Sequence, residues 1–137
     1  MTWRHAIAAL VAATLAAGPA SPAPAQPAPL AARTSDSGGV RVVVKPTSVA
    51  AGAAWEFEVT MDTHTKPLSD DLTRATVLVD DSQQRYAPTD WQGDPPGGHH
   101  RKGVLRFLPP SGQPRSFELR MDGIGGPGAR VFRWTVQ

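Results

Sequence analysis

Asp62, His64, His99 and His100 are the residues whose types and spacing could hold a metal ion in this chain. Asp62 and His64 stand in Met61-Asp-Thr-His64, at the end of an alternating segment. His99 and His100 are neighbours in Gly93-Asp-Pro-Pro-Gly-Gly-His-His-Arg-Lys-Gly103. Imidazole combined with carboxylate suits Zn(II) or Cu(II), whereas Ca(II) asks for oxygen ligands throughout. No recurring ligand spacing such as His-x-x-x-His is present, so a competing reading stands beside this one. In it the histidine pair are polar loop residues, one of them hydrogen-bonded to a backbone carbonyl.

Other chemistries fall away on composition. The chain has no cysteine, which removes disulfides, thiol catalysis, blue-copper electron transfer and a lipid-bearing cysteine. No Gly-x-Ser-x-Gly elbow occurs for a serine nucleophile. Asp70-Asp71 and Asp80-Asp81 are adjacent carboxylates in turn-like surroundings, not an acid–base pair facing each other across a substrate. Gly123-Ile-Gly-Gly-Pro-Gly128 has no helical pattern after it and reads as a tight connection, not a phosphate cradle. These exclusions point away from an enzyme.

The elements that must position the histidines are strands. Trp55-Glu-Phe-Glu-Val-Thr-Met-Asp62 alternates without a fault, with Trp55, Phe57, Val59 and Met61 on one face. Such period-2 alternation marks a strand with one face on a core and one in water. Further strands are expected at 40–46, 74–80, 85–87, 103–108, 116–121 and 129–136, with no helix longer than a turn near Asp70–Leu72. About seven short strands with turn signals between them predict an all-β, antiparallel immunoglobulin-like β-sandwich. A closed barrel has the same periodicity.

In such a sandwich the second strand pairs antiparallel with one two or three further on. That would lay the end of 55–62 beside the start of 100–108. Side chains alternate between faces. Inward Leu105 and Phe107 then put His99 inward and His100 outward, while Asp62 and His64 share the outward face with Glu56 and Glu58. The predicted cluster is therefore Asp62, His64 and His100, with His99 partly buried and structural.

The chain begins Met-Thr-Trp-Arg-His, and an uncharged apolar run follows from Ala6 to Ala17. That length falls within the roughly 7–15 residues of a signal-peptide core and short of the roughly 20 needed to span a bilayer. Ala23-Pro-Ala25 supplies small residues at a cleavage site, so residues 1–25 are expected to be a signal peptide. Cleavage after Ala20 is the weaker option. Residues 26–38 read as a flexible Pro/Ala-rich linker and residues 39–137 as the single β-sandwich domain. Cleavage after Ala25 removes Arg4 and no acid, leaving 13 basic and 12 acidic side chains. Such a balance makes no positive face for a phosphate backbone, so no nucleic acid partner is expected. The new terminus, Gln26-Pro-Ala28, has no histidine and cannot form an amino-terminal copper site.

The segments Trp55–His64, Gly97-Gly-His-His-Arg101, Gly103–Phe107, Gly123–Gly126 and Arg130–Trp134 resemble a group of small exported bacterial all-β proteins of unassigned function. The resemblance spans most of residues 40–136 and implies an all-β domain without a transferable activity. By size and export alone the chain is also similar to periplasmic copper-resistance β-sandwiches, but it lacks the N-terminal histidine those use.

The reading that results is an exported, non-enzymatic binding or accessory module, periplasmic or secreted, with no transmembrane segment in the mature chain. Its expected partner is another exported protein. The alternative is a copper- or zinc-binding protein using His64 and His100.

Overall fold

The computed structural model describes residues 18–23 and 28–136 of the chain. The signal peptide expected over 1–25 lies, apart from 18–23, outside the described residues. The fold is all-β, with two antiparallel sheets packed face to face in a sandwich-like arrangement. Among the described residues no helix is long and apolar enough to cross a membrane.

Among the described residues nine strands form, in chain order β1 (Arg33–Ser37), β2 (Val40–Ser48), β3 (Trp55–Thr63), β4 (Thr76–Asp80), β5 (Arg85–Tyr86), β6 (Asp90–Gly93), β7 (His100–Phe107), β8 (Ser116–Asp122) and β9 (Ala129–Thr135). One sheet has the order β1-β2-β3-β7-β6 and the other β5-β4-β8-β9. Period-2 alternation sends Val40, Val42 and Val44 of β2 inward with Trp55, Phe57, Val59 and Met61 of β3. They meet Phe117, Leu119 and Met121 of β8 and Phe132 and Trp134 of β9 from the opposite sheet. The aromatic rings interlock across the layers. Trp55 meets Phe117 edge-on at 4.8 Å between centroids, and Phe57 stands 6.0 Å from Trp134. Such offset and edge-to-face pairs add to the burial of their large apolar area.

The structure corrects the sequence reading in several places. The segment expected to be a flexible linker over 26–38 contains β1, which pairs with β2 from Arg33↔Val44 to Ser37↔Val40. Hardly any β1 side chain is buried, so hydrophobic alternation carries no signal there. Strand β6 is a second unexpected edge element, four residues long, between Pro88 and Pro95. β7 begins at His100 instead of residue 103, because its first residues complete the ladder with β3. The helical turn α1 (Leu72–Ala75) takes the first part of the strand expected at 74–80. Asp71 caps it by accepting from the Thr73 amide at 3.0 Å, and Leu72 is buried beneath it.

Candidate binding surface at the histidine-bearing end

The antiparallel register of β3 and β7 runs from Trp55↔Phe107 to Asp62↔His100. It gives an outer face with acids on β3 and bases beside them on β7. Arg106 Nε donates to Glu56 at 2.8 Å, Lys102 Nζ stands 3.6 Å from Glu58, and His100 Nδ1 meets the Asp62 carboxylate. These pairs are solvated and cross-strand, of the kind worth a few tenths to about 1 kcal/mol each.

The predicted juxtaposition of Asp62 with His100 is therefore present. His64 follows the last residue of β3 and is exposed. His99 is exposed as well, against the expectation of an inward, partly buried ring. The reason is local. His99 precedes the strand, and Gly97 and Gly98 at φ 116° and 70° turn the chain before the alternation begins. Among the described residues no three His, Cys, Asp or Glu side chains converge on one point, so Asp62, His64, His99 and His100 do not form a complete ligand set in one chain.

The inward position that His99 was expected to fill goes to Arg101, whose side chain is buried with the residue only 2 % exposed. Its guanidinium donates to the Asp94 carbonyl at 3.2 Å, the Leu68 carbonyl at 3.4 Å and the Asp70 carbonyl at 2.6 Å. It also stands over the Trp91 ring, 5.3 Å from the centroid. Burial pulls its pKa below the ordinary arginine value, and the charges of Asp70, Asp71 and Asp94 oppose that fall. The Gly-Gly segment is fastened to the same place. Leu68 N donates to Gly98 O and Gly97 N to Leu68 O, both at 2.9 Å. The loops at 64–71 and 94–99 are thus one hydrogen-bonded unit.

A second buried arginine performs the matching task at the same end, from the opposite sheet. Arg130 of β9, 6 % exposed, donates to the carbonyls of Ser35, Ser37, Val40 and Ile124 at 2.6–3.3 Å. It ties the edge strand of one sheet to the closing strand of the other and holds the 123–128 loop between them. Burial lowers its pKa from the usual arginine value, and Asp36 opposes that shift. Lys66 Nζ adds a bond to Gly125 O at 2.9 Å. Among the described residues neither buried arginine has a carboxylate in an ion pair; backbone carbonyls solvate both charges.

Sequence reasoning missed both arginines, although the parity that placed the core contained them. Arg101 shares its face with Leu105 and Phe107, and Arg130 shares its face with Phe132 and Trp134.

At the opposite end a cleft of about 750 Å³ opens between Ala28–Ala31, the β2–β3 turn at Val49–Ala51 and Val136. Among the described residues its lining is apolar, hydroxyl and amide, without an ionisable side chain. Compared with family models, curated proteins and solved structures, the chain matches none.

Proposed function

We propose that this chain is an exported, non-enzymatic binding module of immunoglobulin-like topology, which meets another exported protein through its histidine-bearing end. The strand orders support that topology. β2-β3-β7-β6 follows the A-B-E-D order of an immunoglobulin sheet, and β9-β8-β4-β5 follows G-F-C-C′, with β1 added at the edge. Loops clustered at one end of such a sandwich are where binding residues are carried when a rigid scaffold holds them.

One observation carries the reading. Two buried guanidiniums hold the loops of a single end by their carbonyls, Arg101 for 68–70 and 94, Arg130 for 35–40 and 124. Ordering loops in advance lowers the entropic cost of docking a partner. The exposed side chains on that end include His64 and His99. Export rests on the basic, apolar and small-residue pattern of residues 1–25.

The test is binding of the mature domain to fractionated exported proteins of the producing cell, measured by biolayer interferometry. A loop-end variant, His99→Glu, is expected to lower the affinity at least about tenfold, as loss of an interface contact does. Lys45→Glu, on the outer sheet face, is expected to leave it unchanged. Equal binding by wild type and His99→Glu, with loss in Lys45→Glu, would move the interface to the sheet and end this reading.

A further inference from the structure

We propose that the cleft at the end opposite the histidines binds a small uncharged aliphatic molecule bearing a hydroxyl group. This surface is separate from the histidine-bearing loops, and the inference stands whether or not those loops bind another protein. The cleft encloses about 750 Å³, within the roughly 300–1,000 Å³ of small-molecule sites. Its walls come from three parts of the chain, and each is fastened to the fold by a hydrogen bond. The N-terminal wall is held at Ala31, whose carbonyl accepts from Trp134 Nε1 at 2.7 Å. The β2–β3 turn is held at Ala50, whose carbonyl accepts from Trp55 Nε1 at 3.2 Å. Val136 N, at the third wall, donates to the Arg115 carbonyl at 2.7 Å. Both tryptophans are buried in the core, one in each sheet. The cleft is therefore built before a ligand arrives, which spares the ordering cost of binding.

Charge decides the occupant. Among the described residues the lining has no ionisable side chain, whereas the outer face of β3 and β7 carries Glu56, Glu58, Lys102 and Arg106. An ion entering this cleft would lose water and meet no opposite charge, a cost that a neutral molecule does not bear. Leu30, Val49 and Val136 pack partly against the core and give the cleft its apolar surface, which suits an aliphatic body. Polar recognition is sparse. The Thr47 and Ser48 hydroxyls donate to the carbonyls of Glu56 and Ala54 at 3.2 and 3.3 Å, so towards a ligand they only accept. The Gln113 side-chain amide adds a group that both donates and accepts. A ligand hydroxyl matches that set because it can give a proton to Thr47 or Ser48; a carboxylate has none to give.

Proton–nitrogen correlation NMR on a chain starting at Gln26 tests this with octanol as the probe. Three tryptophans remain in that chain, Trp55, Trp91 and Trp134. The indole N–H signals of Trp55 and Trp134 should shift saturably with octanol. That of Trp91, which donates to the Asp94 carbonyl at the other end, should stay in place and reports that the fold is kept. Octanoate and octylammonium should each bind at least about tenfold more weakly, because an unpaired charge is costly in an apolar site. Ala51→Asp, at an exposed position of the wall, should weaken octanol binding about tenfold for the same reason. Leu108→Ser, at the exposed leucine outside the cleft, should leave it unchanged. Unshifted Trp55 and Trp134 signals, equal binding of the three probes, or loss of binding in Leu108→Ser would overturn the proposal. Binding seen only in a chain starting at Ala28 would overturn it too, by making the preceding residues the occupant.

Discussion

The Arg101 guanidinium lies over the Trp91 ring, 5.3 Å from its centroid, and joins a central strand to the edge strand beside it. From that position it reaches the carbonyls of Leu68, Asp70 and Asp94. A buried cation is retained only where its hydrogen bonds are satisfied, and here backbone oxygens satisfy them. Trp91 in turn donates its indole N–H to the Asp94 carbonyl at 2.8 Å. The Gly-Gly-His-His loop is held by these bonds from below.

Replacing Arg101 by Met keeps the apolar stem and removes every donor, leaving three carbonyls with fewer partners. The expected loss is about 2–4 kcal/mol, from an unsatisfied-group cost of about 1–3 kcal/mol each, partly relieved by water. Arg101→Lys should recover only part of it, because one ammonium cannot span the three carbonyls. Urea denaturation midpoints measure both.

Truncation tests where the folded domain begins. A chain starting at Ala28 should be as stable as one starting at Gln26. One starting at Val40 lacks β1 and strips Arg130 of the Ser35 and Ser37 carbonyls. It should lose at least about 3 kcal/mol, the scale for leaving a buried charge short of partners. Matching thermal unfolding for the two truncations would show that β1 contributes nothing.

Trp55 and Trp134 are almost wholly buried and both touch Phe57 or Phe117 in the aromatic cluster. Each Trp→Ala change should cost about 3–5 kcal/mol, the range for aromatic truncation in a core. The check is chemical denaturation followed by far-ultraviolet circular dichroism.

Tyr86 is the single tyrosine, so absorbance of tyrosinate reads it alone. Burial raises its pKa above 10.0, and its hydroxyl donates to the Asp80 carboxylate at 3.0 Å, which also disfavours the phenolate. The folded chain therefore holds this proton more tightly than the unfolded chain. Its contribution to stability is complete below pH 10 and declines as the pH rises through the folded value. A titration midpoint above 10 in the native protein is expected, moving down in Asp80→Asn.

How much of this was legible depended on the kind of signal. Trp55, Phe57, Val59 and Met61 alternate with charged or polar residues, so β3 and the inner face could be read directly. The pairing of Asp62 with His100 followed from parity and strand order together. β1 was hidden because an edge strand with exposed side chains has no hydrophobic period. Parity does not reach His99, because it lies beyond the end of β7 and follows two glycines with positive φ. The burial of Arg101 and Arg130 leaves no signal in the sequence, because an arginine at an inward position can equally carry its head group to solvent. The loops they hold are distant in sequence, and only the folded chain brings those carbonyls to them.

Native-state hydrogen exchange at the amides of Leu68 and Gly97 tests most directly whether the histidine-bearing end is a preformed platform. These amides donate across the two loops at 2.9 Å. The account predicts protection approaching that of the central strand amide of Phe57, lost selectively in Arg101→Met while Phe57 stays protected. Exchange of Leu68 and Gly97 in the wild type as fast as at the open turn residue Gly52 would contradict it.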